Sequence, residues 1–268
     1  GLGRQRARLH GGRGGVMSQL ATASTPQFHL VSGAATHVGC VRKLNEDSYL
    51  DRADLGLWAV ADGMGGHDAG DHASQLAVAA LGQVPPPTSA PAFLSSVKSA
   101  LQSANVVLRS EAAGRGPGRI IATTVVTLLA YGQHYACVWA GDSRLYRLRD
   151  ETLQQISRDH SHVQELVEVQ LLSPQEARNH PYSNVVTRAV GAADELELET
   201  CHDRLRPGDL FLLCSDGLSK EVEDDEIRAI LMRESLFDAP YALIESAIAH
   251  GGSDNVTVVA VQCRAADG

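Results

Sequence analysis

Aspartates stand at the ends of apolar runs throughout this 268-residue chain. Asp47 follows Asn45 and Glu46 ahead of a short apolar pair. Asp62 closes the run LWAVA and precedes Gly63, Asp142 follows Trp139, Ala140 and Gly141, and Asp216 closes LFLLCS and precedes Gly217. Asp254 and Asn255 open the last run, VTVVAVQ. A carboxylate at a strand end points into the space beyond the sheet rim, and a glycine after it lets the backbone turn sharply and approach a ligand. Each of these residues alone reads more readily as turn chemistry than as a metal ligand, because Asp-Gly after a strand is a common turn. As a set they predict one acidic pocket. Like charges at short range raise one another's pKa until a cation neutralises them. Oxygen donors without a His or Cys ligand pattern favour Mg²⁺ or Mn²⁺ over zinc, and the Gly63 carbonyl can complete such a shell. Two ions roughly 3.5–4 Å apart are suited to activating water and clamping a phosphate. Arg42, five residues before Asp47, reads either as a surface arginine or as the planar fork that grips a phosphate dianion.

Strands and turns must bring these residues together. Segments 57–61, 120–131, 134–140, 144–148, 210–214 and 256–263 are β-branched or aromatic runs bounded by Gly, Asp or Asn and read as strands. Helical periodicity covers 69–82, 91–113, 161–180, 222–233 and 238–250, and loops fall at 85–91 and 114–119. Strands arrive in groups joined by short turns and helices arrive in pairs, a pattern of antiparallel sheets covered by helix pairs rather than alternating βαβ units. Residues 1–27 lack an apolar period and read as a disordered leader, with Met17 as a candidate natural start.

Composition narrows the function. With 44% hydrophobic residues the chain can bury one sizeable core, and residues 28–264 read as a single domain. The formal net charge is −9; setting aside residues 1–27, with four arginines and no acid, leaves 19 basic against 32 acidic residues, or −13. That sign argues against binding nucleic acid through its phosphates. The longest apolar runs fall short of the roughly 18 residues of a membrane helix. Five cysteines (Cys40, Cys137, Cys201, Cys214, Cys263) with no CxxC or metal spacing suit a reducing cytoplasm.

The ordered set NED (45–47), DGMGGH (62–67), GDSR (141–144), SDGL (215–218) and SDNVT (253–257) resembles the metal-dependent protein phosphatases, the protein phosphatase 2C family, in their short bacterial form. The resemblance runs from about residue 30 to 263. It implies an α+β fold, a four-layer α-β-β-α sandwich of two antiparallel sheets flanked by helix pairs. By motif position, Asp62 resembles the carboxylate that bridges two Mn²⁺ or Mg²⁺ ions, with the Gly63 carbonyl on one of them. Asp216 and Asp254 resemble ligands of the first ion, and Asp47 and Glu46 resemble contacts through water on the second side. Asp142 resembles the ligand of a looser third ion, sharing Asp216, and Asn255 falls just outside the ligands. Arg42 falls on the arginine that holds the substrate phosphate. The implied reaction hydrolyses phosphoserine or phosphothreonine on proteins through a metal-bridging hydroxide, without a phosphoenzyme, and opposes a Ser/Thr kinase. A monomer is the family expectation.

Animal members carry a histidine directly after the Asp-Gly pair, as the proposed general acid, where Met64 stands here. His67 is the nearest substitute, although a histidine in a glycine-rich turn more often caps or packs. Residues 157–184 resemble the flap of bacterial members. Its His160, His162 and His180 do not form a ligand pattern, so it reads as a recognition element packed by VQELVEVQLL. Two rivals remain: a silent module that binds phosphorylated partners, and a two-metal phosphodiesterase or nuclease. The retained carboxylates argue against the first and the acidic body against the second.

Overall fold

The computed structural model describes residues 28–65 and 69–265; the 1–27 leader and His67 lie outside the described residues. In chain order these form strands β1 (Phe28–His37), β2 (Asp47–Arg52) and β3 (Leu57–Met64), then helices α1 (Ala69–Gly82) and α2 (Ala90–Gly114). Next come β4 (Ala122–Thr123), β5 (Val125–Tyr131), β6 (His134–Ala140), β7 (Arg144–Arg149) and β8 (Thr152–Gln155), followed by α3 (His162–Glu168) and α4 (Pro174–Arg178). The remainder is β9 (Glu199–Arg204), β10 (Leu210–Cys214), α5 (Asp216–Ser219), α6 (Asp224–Arg233), α7 (Ala239–Ala249) and β11 (Val256–Ala265).

The strands make two antiparallel sheets. One runs β1-β11-β10-β7-β8 and the other β2-β3-β5-β6-β9, with β4 paired to the end of β3. Alternation along the central strands feeds two cores at once. In β3, Trp58 and Val60 face the layer between the sheets while Leu57 and Ala59 face α1 and α2. In β11, Val259 and Val261 face the inter-sheet layer while Val258 and Ala260 face α6 and α7. A strand buried on both faces needs a continuous apolar run, which is why these segments read so plainly in the sequence. The result is the expected four-layer α+β sandwich. Among the described residues no helix is long and apolar enough to cross a membrane.

Three details differ from the sequence reading. The run 120–131 is not one strand: Ile120 is exposed, and the chain breaks at Thr124 between β4 and β5. The helix expected over 161–180 is two short ones. Gln170 turns the chain with φ 59°, and Ser173 restarts it with a capping box to Glu176 ahead of Pro174. Strands β1, β2, β8 and β9 lie outside the segments that the sequence pattern marks as strands.

Candidate metal centre

All five aspartates reach the same rim because neighbouring strands run antiparallel. Asp62 lies near the end of β3, directly opposite Asp47 at the start of β2. In the other sheet β10 ends at Cys214 beside Val258 of β11, so Asp216 follows one strand where Asp254 precedes the next. Asp142 sits in the turn by which the chain leaves β6 in one sheet and enters β7 in the other. The structure therefore gathers Asp47, Asp62, Asp142, Asp216 and Asp254 from both sheets.

Hydrogen bonds fix this rim. Ser215 Oγ donates to Asp47 Oδ2 at 2.7 Å and accepts from Thr257 N at 3.0 Å, tying the end of one sheet to the start of the other. Thr124, at the break between β4 and β5, accepts from Asp62 N on its Oγ1 at 3.0 Å and shares a 2.7 Å bond with Ser143 Oγ. The Asp62 backbone and the Asp142 turn are thus braced by one threonine. Gly63 admits no side chain, because a Cβ there would come within 1.9 Å of the Gly70 carbonyl oxygen. The Glu46 carboxylate packs beside Gly70 at the start of α1.

Asn255 holds the loop that carries Arg42. Its Oδ1 accepts from Glu46 N at 2.8 Å, and its Nδ2 donates to the carbonyls of Val38 and Leu44 at 2.9 and 3.0 Å. Asn255 is buried, so Asn255→Ala leaves several polar groups without partners. The expected loss is about 2–4 kcal/mol in urea denaturation; a loss under about 1 kcal/mol would show that the loop is held elsewhere. Arg42 itself is half exposed and donates to Asp254 Oδ2 at 2.8 Å.

Crowding shows in the protonation of the cluster. Burial, then the charges of Asp216, Asp47, Asp142 and Asp254, push the Asp62 carboxyl well above its ordinary range. Burial pushes Asp47 up to about 7, against the hydrogen bonds from Thr257 and Ser215, and burial with the Asp216 charge pushes Asp142 up to about 7. Repulsion of this kind is what a bound cation relieves. Among the described residues no three His, Cys, Asp or Glu side chains close around a single point as they stand. Arginine and lysine instead take up part of the charge, Arg42 on Asp254 and Lys220 on Asp216. Asp216 Oδ1 remains buried with no hydrogen-bond partner, an oxygen that fits a divalent ion.

The sequence reading missed Ser215 and Thr124 as braces, and it missed Lys220. A readable signal existed for the last: Lys220 stands four residues after Asp216, the spacing of an ion pair on one helix face. His160 is buried, with Nδ1 accepting from Gly141 N at 3.1 Å and its ring stacked on Trp139, so it supports the Asp142 turn.

The family model for protein phosphatase 2C matches residues 41–242. The chain belongs to the protein phosphatase 2C family. Among the family's curated members, the serine/threonine protein phosphatase PstP of Mycobacterium tuberculosis is 39% identical over 221 residues, which are 82% of this chain and 42% of PstP. The chain thus spans less than half the length of that relative. Among solved protein phosphatase 2C structures, PppA, described as a key regulatory component of T6SS in Pseudomonas aeruginosa, is 44% identical. It superposes with a TM-score of 0.82 over 88% of this chain and 98% of PppA. The catalytic domain of PstP, solved in complex with two manganese ions, is 36% identical with a TM-score of 0.80, covering 88% of this chain and 99% of that domain.

Proposed function

We propose that this chain is a metal-dependent protein phosphatase that hydrolyses phosphoserine and phosphothreonine on proteins, with residues 28–264 acting as one catalytic unit. The observation that carries the reading is the meeting of five carboxylates from two sheets at one rim, around Asp62, whose carboxyl their charges help to push up. The two manganese ions of the PstP catalytic domain support it. In this reading Asp62 is shared by two Mn²⁺ or Mg²⁺ ions beside the Gly63 carbonyl, Asp216 and Asp254 hold the first, and Asp47 and Glu46 act on the second side. When bound, such ions supply a water acidic enough to attack phosphorus at neutral pH and offset the charge of the phosphoryl oxygens.

The chain's own residues do the positioning. Arg42 lies at the rim on a loop fixed by Asn255, where its planar guanidinium can leave Asp254 for a phosphate dianion and hold it by two parallel bonds. No side chain has to form a covalent phosphoenzyme. Segment 157–184, with α3 and α4, walls a cavity of about 320 Å³ that reaches Asp142 and Asp216, a placement suited to receiving the protein around the phosphorylated residue. The partners are then phosphorylated proteins whose phosphate a Ser/Thr kinase installed. A cytoplasmic setting suits the free thiols of the five cysteines.

The test is phosphate release from a phosphothreonine peptide, with Mn²⁺ and with EDTA, for wild type and Asp216→Asn. Release that needs the metal and is lost in the variant is expected. A folded wild type that releases no phosphate with any divalent ion would leave a binding module in its place.

A further inference from the structure

Lys220 is a cation that the carboxylate pattern does not predict. It follows α5 directly, and its Nζ donates to Asp216 Oδ2 and, at 2.6 Å, to Asn184 Oδ1 at the end of segment 157–184. The ammonium is therefore held from the body on one side and from that segment on the other, with the side chain one-third exposed. Lys220 lines the same cavity as Asp142 and Asp216. Asp142 lies close enough for its charge to act on the same ammonium.

Asp142 and Asp216 are the two carboxylates that a third divalent ion would need. They do not fit one here. Asp216 divides its oxygens: Oδ2 accepts from Lys220, and Oδ1, buried without a partner, is left for the metal pair. A further divalent ion at Asp142 would have to expel an ammonium already bonded on two sides, or sit against its like charge.

We propose that the Lys220 ammonium is the built-in cation of the Asp142–Asp216 corner, so that this chain takes a pair of divalent ions and does not take a third there. The inference rests on the metal pair proposed above. Its test counts ions, by calorimetric titration of the metal-free protein with Mn²⁺, for wild type and for Lys220→Met, Lys220→Gln and Lys220→Arg. Wild type and Lys220→Arg are expected to bind two ions. The two neutral variants are expected to bind a third at least about tenfold more tightly than wild type does. Two neutral side chains of different polarity guard against one variant that fails to fold, which a melting curve identifies. A third ion held equally well by wild type, or no third ion on a folded neutral variant, overturns the proposal and leaves the metal pair standing. Failure of wild type to bind Mn²⁺ at all removes the metal pair, and this inference with it.

Discussion

Asp62→Asn is expected to abolish metal-dependent phosphate release while making the metal-free protein more resistant to urea. The two effects have one cause. Asp62 lies half-buried at the rim, where desolvation and four neighbouring carboxylates oppose its charge. Folding the metal-free chain at neutral pH must either confine that charge or hold a proton against the solvent. Asparagine has nearly the same shape and no charge, so the folded state sheds the repulsion, a gain on the order of 1–3 kcal/mol by the scale of shifted buried carboxyls. The same neutrality removes the carboxylate proposed to serve both ions. Loss of a preorganised electrostatic group in a phosphoryl-transfer site costs roughly 10²–10³-fold, and a shared metal ligand belongs at or above the top of that range. The measurements are the urea midpoint in EDTA and phosphate release in Mn²⁺. A variant that is both less stable without metal and still active would place the charge of the cluster elsewhere. Stability withheld from the scaffold and concentrated at a reactive site is a common trade in enzymes.

The strands that sequence reasoning missed share one property. β1 and β8 are the edges of one sheet, and β2 and β9 the edges of the other. A central strand such as β10, LFLLC, is buried on both faces and shows as an uninterrupted apolar run. An edge strand has only one neighbour and much open surface, so its sequence carries charges and alternates weakly, as in DSYLDR of β2 and ETCHDR of β9. Those strands exist because their neighbours template them, which no local pattern reports. The rim was more legible than the edges, because the aspartates follow or precede central runs whose ends could be read directly. What the pattern left out were neutral or cationic residues that touch the carboxylates from other elements. Ser215 bridges to Asp47 across 168 positions of sequence, whereas Lys220, four residues from Asp216, is the local exception. Such contacts are created by packing. The restart of the helix at Ser173, by contrast, is written locally in Ser173, Pro174 and Glu176, although the apolar period of 163–172 runs up to it without a break.

The gap in stability between Mn²⁺-loaded and metal-free protein is expected to widen as pH rises from about 4 to 7. In the metal-free fold Asp47 and Asp142 keep their protons up to about 7, while in the unfolded chain an aspartate releases its proton near 3.9. Between those values the folded state binds more protons than the unfolded state, so this contribution to stability is fully present below the lower value and is lost as pH climbs through the upper one. His160 acts in the opposite sense: burial and Arg188 lower its pKa, so its neutral folded form gains stability as pH rises toward 6.5. Comparing the two metal states at each pH cancels His160, which lies outside the proposed ligands, and isolates the cluster. With the ions bound the carboxylates that hold them, Asp47 and Asp62 among them, are already ionised, and raising the pH removes protons that would otherwise compete for the same oxygens. At about 1.4 kcal/mol for each unit by which a pKa differs between states, a carboxyl raised as far as Asp47, on the side of the second proposed ion, makes a gap on the order of 4 kcal/mol by neutral pH, to which the raised Asp62 adds. Urea titrations in EDTA and in excess Mn²⁺ at half-unit steps resolve a change of that size. A gap that stays level across the range would mean that the carboxylates are already neutralised by the protein itself, with Arg42 on Asp254 and Lys220 on Asp216 sufficient to hold the rim together.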